Sequence, residues 1–430
     1  MSKIEWYTEF DDFSYKPRKD DLVVKFRFEG AKGFSFKESM GRIASESSIG
    51  TWTTLARLPE RDKHLMAKAF KREGSYVYIA YPYALWEKGN APQLLSGIAG
   101  NIFGMKAVKN LRLVDVTLPP KYVKSFKGPL KGISGIRKLF RAKKRPLTAT
   151  VPKPKVGYSA AEHAQVGFEA WTGGLDLLKD DENLTSTSFN NFKKRVELCA
   201  KMRNRAERIT GEHKDALLNI TAETHEMERR AKLVADYGWG YAMIDVVTAG
   251  TAAVQTLRET CGDLGLAIHA HRAMHAAFSK NPRHGISMPF LCKLERMIGV
   301  DQLHIGTVVG KLVSPKEEVL ANQAILTQER VKASEFLLAQ DWAGTKPVFP
   351  VSSGGLHAGI LPQVLDLLGS DIVLQCGGGV HGHPRGTRAG AQSMRQSIDA
   401  WMDGISLKEY AKSHSALAQA LEKWGEMRPK

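Results

Sequence analysis

The spacing of apolar and polar residues changes near residue 133 of this chain. Before that point, alternating stretches such as DLVVKFRFEG (residues 21–30) predict strands, and helical spacing follows at residues 35–46. After it, eight short apolar runs alternate with helical stretches, for example at residues 190–210 and 224–236, and nearly every run ends in polar residues or glycines. The eight predicted strands lie within residues 148–155, 173–183, 216–222, 241–247, 267–275, 302–307, 348–355 and 372–379.

Eight strand–helix units indicate a closed parallel barrel. An open, doubly wound sheet is the alternative. It is disfavoured because the active-site face of a barrel requires polar residues at the carboxyl ends of its strands, and this chain has them. We therefore predict an α/β protein with a C-terminal (β/α)8 TIM barrel over residues 133–430, preceded by a smaller N-terminal α+β domain over residues 1–132.

The stretch GGLDLLKDDEN, residues 173–183, combines a buried strand with a cluster of charge. Because side chains alternate along a strand, Lys179 and Asp181 share a face, and Glu182 joins them where the strand turns into a loop. Two carboxylates suit Mg²⁺. A lysine beside them fits only if its neutral amine adds CO₂ to give a carbamate, an anion with two oxygens. Taken alone, such a charge run is more often a solvated loop or the first turn of a helix.

Polar groups at the other strand ends point to a sugar bisphosphate. Glycine-rich loops after the seventh and eighth strands expose N–H groups where barrels commonly hold phosphate, and Arg272 and His304 can hold a second phosphate. Each element alone has a simpler explanation, since histidines can be core residues and glycines can form helix-entry turns. The other polar positions at these ends are Lys153, Lys155, Asn219, Asp245, His271, Lys311, Ser353, Gly354, Gly355, Gly377 and Gly378.

Composition sets broad limits on the class of protein. Of the 430 residues, 43% are hydrophobic and 25% are charged, as in an ordinary globular protein. No apolar run is long enough for a membrane span, and residues 1–21 lack the apolar core of a signal peptide. The four cysteines are scattered without metal-binding spacing, which favours reduced thiols in a cytoplasm.

The net charge of +17 allows nucleic acid, anionic membrane or phosphorylated metabolites as partners. Residues 121–145 are rich in lysine and arginine and contain no acidic residue. Their few aromatic residues give little surface for stacking bases. A nucleic-acid-binding protein is therefore the remote alternative, and a solvated connection beside a subunit interface is the simpler interpretation of this stretch.

From about residue 20 to its C-terminus, the chain resembles the large chain of ribulose-1,5-bisphosphate carboxylase/oxygenase (RuBisCO). SIGTWT, GGGVHGHPRGTRAG and the short C-terminus are most similar to the archaeal form III branch. Plant enzymes carry Ser at the position of Ile305 and Thr-Leu at Val380 and His381, and these departures bear on CO₂/O₂ discrimination. The matching runs are ESSIGTWTT, GNIFGMK, PKPK, GGLDLLKDDEN, HAHRAMHAAF, HIGTVVGK, SSGGLH and GGGVHGHP.

The resemblance implies that the chain converts ribulose 1,5-bisphosphate, CO₂ and water to two molecules of 3-phosphoglycerate through a Mg²⁺-bound enediolate, for which O₂ competes. Lys179 would carry the carbamate and ligate Mg²⁺ with Asp181 and Glu182. Lys153, assisted by Lys155, would transfer protons at the substrate carbons. His271 would do so at the hydroxyls, and Lys311 would polarise CO₂.

The resemblance also implies the substrate contacts and the assembly. One phosphate would be held by Arg272, His304 and Ser353. The other would be held by Gly355, Gly377 and Gly378, with Thr51 and Trp52, and Gly354 would also bind the substrate. A partner subunit would supply Glu46, Thr51, Trp52 and Asn101, so a homodimer or a higher assembly of dimers is expected. No small subunit, nucleic acid or membrane is expected as a partner. The alternative is a RuBisCO-like enolase or isomerase acting on another sugar phosphate. Such relatives typically lose catalytic positions, which this chain keeps.

Overall fold

The computed structural model describes residues 5–51, 53, 57–309 and 315–426. Within them the chain forms two compact units. The smaller unit combines residues up to 128 with residues 274–298 and 328–345, and the larger unit takes the rest. Because two later segments also belong to the smaller unit, no single position in the chain divides the two units. The predicted division at residue 132 stays a prediction.

The smaller unit is built on a five-stranded sheet with helices, as the predicted α+β class requires. Its central strand, Leu22–Gly30, pairs antiparallel with Tyr76–Tyr81 and Val108–Thr117. The edge strand Lys68–Glu73 has no clear alternation and was not predicted. The fifth strand, Gly285–Ile286, comes from a later segment and pairs parallel with Val108–Thr117. Among the described residues, the α-helices of this unit are Glu5–Thr8, Phe36–Glu46, Ala91–Ala99, Pro120–Val123, His275–Ser279 and Met288–Ile298.

The larger unit is the predicted barrel of eight parallel strands. A bridge between Asn219 and Met243 closes the sheet, because it joins its two edge strands, the third and fourth in chain order. All eight predicted strands are confirmed, although most are shorter than predicted because their polar ends belong to loops. In chain order the barrel strands are Leu147–Thr150, Leu177–Lys179, Asp215–Leu217, Tyr241–Asp245, Ala267–His271, Gln302–Gly306, Phe349–Ser353 and Val373–Cys376.

Helices follow the strands around this barrel. The predicted helices at 190–210 and 224–236 are confirmed as Phe192–Thr210 and Thr224–Asp236. None of the described helices combines the length and the apolar character needed to cross a bilayer. The other helices of this unit are Gly132–Phe140, Ala160–Thr172, Val246–Ala249, Thr251–Asp263, Lys316–Thr327, Leu361–Leu368, Gly378–His381, Gly386–Met402, Leu407–Ala411 and Ser415–Trp424.

Helix Gly132–Phe140, which was not predicted, belongs to the basic stretch 121–145. Its apolar side chains join the buried core formed by the barrel strands, including Ile136 and Phe140. In the same stretch, Arg137 pairs with Asp371 at 2.6 Å, and Arg145 pairs with a buried carboxylate of the barrel. Part of this basic stretch therefore has a structural role.

Candidate functional site

The second barrel strand, Leu177–Lys179, ends in a lysine that solvent does not reach. The Lys179 Nζ donates a hydrogen bond to the backbone oxygen of Asp180 at 2.8 Å and lies 3.9 Å from Glu182 Oε2. Burial lowers the pKa of Lys179, against the opposing effect of the nearby carboxylates. The protein therefore brings this amine closer to its neutral, nucleophilic form.

The next residue, Asp180, points away from Lys179, as the alternation of a strand requires. Its Oδ2 lies 3.0 Å from Arg195 Nη2, and its Oδ1 lies 3.2 Å from the ring of His163. Burial alone would raise the pKa of Asp180, but Arg195 and the hydrogen bonds lower it to about 2. Sequence reasoning missed His163 and Arg195, because a polar residue inside a helix carries no mark of burial.

The other two acidic side chains of this segment, Asp181 and Glu182, lie farther from the basic side chains at the strand ends. Asp181 Oδ2 lies 3.5 Å from Lys153 Nζ, and Glu182 Oε2 lies 3.7 Å from His271 Nε2. These separations exceed those of direct hydrogen bonds. The structure thus brings Lys153, Lys179, Asp181, Glu182 and His271 together with their charged atoms not in close contact.

The fourth strand orients the histidine of the fifth. The Nδ1 atom of His271 lies 2.9 Å from Asp245 Oδ1, and Asn219 Nδ2 lies 3.4 Å from Asp245 Oδ2. A carboxylate only accepts hydrogen bonds, and its contact with Nδ1 is shorter than the competing 3.2 Å contact of Nδ1 with the Ala273 N–H. The shorter contact favours a proton on Nδ1, which leaves Nε2 of the neutral ring as a base. Burial and Lys179 lower the pKa of His271, while Asp245 raises it.

The fifth, sixth and seventh strands bring together the three residues predicted for one phosphate. The Nδ1 atom of His304 lies 2.9 Å from Ser353 Oγ. A Cβ added at Gly306 would lie 3.1 Å from an Arg272 nitrogen, so the guanidinium lies beside the end of the sixth strand. Behind them, His269 contacts His304 at 3.0 Å and Gln302 at 2.8 Å. Sequence reasoning missed these two supporting residues.

The glycines after the seventh and eighth strands form open turns. Gly354 and Gly355 have φ values of 111° and 68°, which glycine adopts without strain. A Cβ at Gly377 would lie 3.1 Å from Lys153 Cε, whereas one at Gly378 would meet open space. The turn of the eighth strand therefore lies directly beside the lysine that follows the first.

The other predicted site residues are placed separately. Lys155 is exposed after the first strand. In the smaller unit, Glu46 ends helix Phe36–Glu46 and has its pKa raised by burial, Thr51 is half-buried, and Asn101 begins a short 3₁₀ helix. Trp52 and Lys311 lie outside the described residues.

The ligand set decides whether a metal fits. In the part of the chain that the structure describes, no three His, Cys, Asp or Glu side chains group to hold a metal ion. A Mg²⁺ site on Asp181 and Glu182 would need a further oxygen. A carbamate on Lys179 would supply one, and the buried amine with its lowered pKa fits that modification.

Comparisons with known proteins agree over nearly the whole chain. Residues 132–424 match the family model of the ribulose bisphosphate carboxylase large chain, catalytic domain, and residues 9–122 match that of its N-terminal domain. A protein named ribulose bisphosphate carboxylase from Pyrococcus abyssi is 54% identical over 100% of this chain and 99% of its own length.

Two solved structures are similar throughout. One is described as a dimeric archaeal Rubisco from Hyperthermus butylicus, with a TM-score of 0.94 and 50% identity, covering 98% of this chain and 100% of that one. The other is the octameric ribulose-1,5-bisphosphate carboxylase/oxygenase from Pyrococcus horikoshii in complex with sulfate. It has a TM-score of 0.91 and 51% identity, covering 99% of this chain and 98% of that one.

Proposed function

The chain belongs to the family of ribulose bisphosphate carboxylase large chains, and we propose that it catalyses the reaction of ribulose 1,5-bisphosphate, CO₂ and water to give two molecules of 3-phosphoglycerate. O₂ competes with CO₂ for the same activated substrate. The proposal concerns the barrel strand ends, where the charged side chains of several strands face one another.

The observation that carries the proposal is the buried Lys179 beside Asp181 and Glu182. Among the described residues its nearest carboxylate oxygen is 3.9 Å away, so none of their carboxylates forms a short ion pair that holds the amine in its charged form. Carbamylation turns this lysine from a cation into an oxygen ligand, and the three residues then match the preference of Mg²⁺ for oxygen. Mg²⁺ bound there would act as a Lewis acid that stabilises negative charge developing on the substrate oxygens.

Proton transfer falls to side chains around this centre. His271, with Nδ1 bonded to Asp245, uses Nε2 to take and return the proton of a substrate hydroxyl. Lys153, beside Asp181, acts at the substrate carbons with help from Lys155. Lys311 is assigned the polarisation of CO₂ from the resemblance alone.

The two phosphates of the substrate bind on opposite sides of the charged centre. Arg272, His304 and Ser353 hold one of them through charge and hydrogen bonds. The backbone N–H groups of the glycine turns at 354–355 and 377–378 hold the other.

A homodimer is the smallest active form in this proposal. In each site the barrel comes from one copy, and the other copy supplies Glu46, Thr51, Trp52 and Asn101. The solved relatives described as dimeric and octameric support an assembly of two or more chains. A cytoplasmic location and the lack of a small subunit stay predictions.

The direct test is ¹⁴CO₂ fixation by the purified protein with ribulose 1,5-bisphosphate and Mg²⁺. We expect acid-stable label in 3-phosphoglycerate, with two product molecules for each bisphosphate consumed. An enolase or isomerase of the same fold would consume a sugar phosphate without fixing carbon, and that result would replace the proposal. Tight, strongly salt-dependent RNA binding without turnover would favour the nucleic-acid alternative.

A further inference from the structure

His381 lies at the end of the glycine turn and links it to the first barrel strand. Its Nε2 atom is 2.9 Å from Thr150 Oγ1, and its Nδ1 atom is 3.0 Å from Thr387 Oγ1. Thr150 is the last residue of the first strand, and Thr387 lies in the first turn of helix Gly386–Met402. The imidazole therefore bridges two elements on either side of the turn.

The direction of these hydrogen bonds is fixed. Thr150 donates its hydroxyl proton to the backbone oxygen of Cys376 at 2.6 Å, so its oxygen must accept from His381 Nε2–H. The neutral ring then accepts at Nδ1 from the Thr387 hydroxyl. Burial and the charge of Lys153 lower the pKa of His381 to about 4, against the opposing effect of a hydrogen bond with the Val151 backbone. The ring therefore stays neutral near neutral pH.

The turn has little freedom around this histidine. A Cβ at Gly379 would collide with the backbone of Leu356 and His357, and one at Gly390 would collide with the backbone of Val380. At its start, Gly377 lies against the side chain of Lys153. Any movement of the turn would therefore change where its N–H groups lie relative to Lys153.

We propose that His381 is a positioning residue that fixes the glycine turn 377–379 against the end of the first strand, so that the Gly377 and Gly378 N–H groups hold a substrate phosphate in register with Lys153. This inference rests on the proposed function and deepens it. His381 does not touch the substrate and acts through the turn and through Thr150.

The test compares His381→Leu, which removes the hydrogen bonds to both threonines, with His381→Gln, whose amide can donate to Thr150 and accept from Thr387. Two hydrogen bonds are lost, so His381→Leu should raise KM for ribulose 1,5-bisphosphate roughly tenfold while kcat falls less than about threefold. His381→Gln should stay within about threefold of wild type in KM. A variant that only loses folded protein would instead show a lower apparent kcat at unchanged KM.

His383→Leu is the matched control, because His383 Nε2 contacts the backbone oxygen of Ala416 at 2.9 Å, away from the turn. This variant should keep the wild-type KM. If His381→Leu does not fold, Thr387→Val removes only the Nδ1 contact and should raise KM about twofold to threefold. Wild-type KM in His381→Leu, or in Thr387→Val where that variant replaces it, overturns the inference.

Calorimetric titration with inorganic phosphate separates this inference from the proposed function. One class of phosphate sites should weaken roughly tenfold in His381→Leu, and the class held by Arg272 and His304 should not change. A wild-type protein that binds phosphate but fixes no CO₂ would contradict the proposed function alone. Equal phosphate affinities in wild type and His381→Leu would contradict the positioning role.

Discussion

The charged side chains at the two ends of the barrel strands are paired at different distances, apart from Asp180, which pairs closely with Arg195 at the carboxyl-terminal end. At the amino-terminal end, the two guanidinium nitrogens of Arg145 each donate to Asp176 at 2.7 Å. Asp301 accepts from the backbone nitrogens of Lys131, Gly132 and Ile268 at 2.6–3.0 Å. At the carboxyl-terminal end, the contacts of Lys179, Asp181 and Glu182 with oppositely charged side chains are 3.5–3.9 Å long.

This difference indicates that the paired charges at the amino-terminal end stabilise the fold, whereas those at the carboxyl-terminal end serve function. Short, complete hydrogen bonds offset the cost of burying a charge, and longer contacts offset much less of it. A cavity of about 540 Å³ at the amino-terminal end is also lined by paired charges, since its Arg145, Glu212 and His213 all have ion-pair partners. The carboxyl-terminal end keeps its charges available for a ligand, as the active-site face of a barrel does.

The largest effect is expected for Lys179→Ala. We expect at least a roughly 10³-fold loss of ¹⁴CO₂ fixation, because the proposed Mg²⁺ site would lose a ligand. The free energy of unfolding should be unchanged or higher, because a poorly paired buried amine is removed. Lys214→Ala is the control: this buried lysine contacts Glu212 at 2.7 Å, and its loss should lower stability and spare activity. Full activity of Lys179→Ala would refute the distinction.

The opposite outcome is expected for Asp176→Asn. Weakening the buried pair with Arg145 should cost about 3 kcal/mol of unfolding free energy in urea titrations, while kcat per folded molecule stays within about twofold. The pKa of Asp176 is lowered because Arg145 and the hydrogen bonds outweigh its burial. The wild-type contribution is therefore lost as pH falls through the carboxyl range, and the variant should be less sensitive to acid. Loss of activity without loss of stability would contradict this assignment.

The sequence predicted the architecture well, for a physical reason. Apolar runs of strand length mark the parallel barrel, and polar residues follow those runs where the strands end, so Lys179, Asp181 and Glu182 could be placed together. The alternation of a strand also predicted that Asp181 shares the face of Lys179, and Asp180 indeed points the other way.

Contacts between distant segments could not be predicted in this way. The return of residues 274–298 and 328–345 to the smaller unit depends on pairings such as Gly285–Ile286 with Val108–Thr117, which two residues cannot signal. Helix Gly132–Phe140 was missed because it lies within a stretch rich in lysine and arginine. His163, Arg195 and Gln302 look like surface residues in the sequence, and only the fold shows that they support Asp180 and His269.

A smaller effect is expected for Asp245→Asn, which tests how the carboxyl-terminal end of the barrel orients His271. The amide no longer requires a proton on His271 Nδ1, so kcat should fall roughly 10-fold to 100-fold with little change in stability. Asp245 raises the pKa of His271, so its loss should move the acidic limb of the kcat profile to lower pH. The control is Asp366→Asn, at an exposed carboxylate that accepts a hydrogen bond from Trp401. This variant should change neither kcat nor the pH of the acidic limb.

The smallest effect, a gain of about threefold to tenfold, is expected from preincubation with CO₂ and Mg²⁺. Only the neutral amine adds CO₂, and the neutral fraction rises with pH. Because burial lowers the pKa of Lys179 from 10.5, activation should level off at a lower pH than an exposed lysine would require.

Enzyme preincubated with ¹³CO₂ at about pH 7 and about pH 9, then assayed at one common pH, should be more active after the alkaline step. A carbamate resonance should appear in its ¹³C spectrum and be missing from Lys179→Ala. Full activity of CO₂-depleted enzyme without that resonance would mean that Lys179 is an ordinary buried amine. The longer contacts at the carboxyl-terminal end would then not serve carbamate formation.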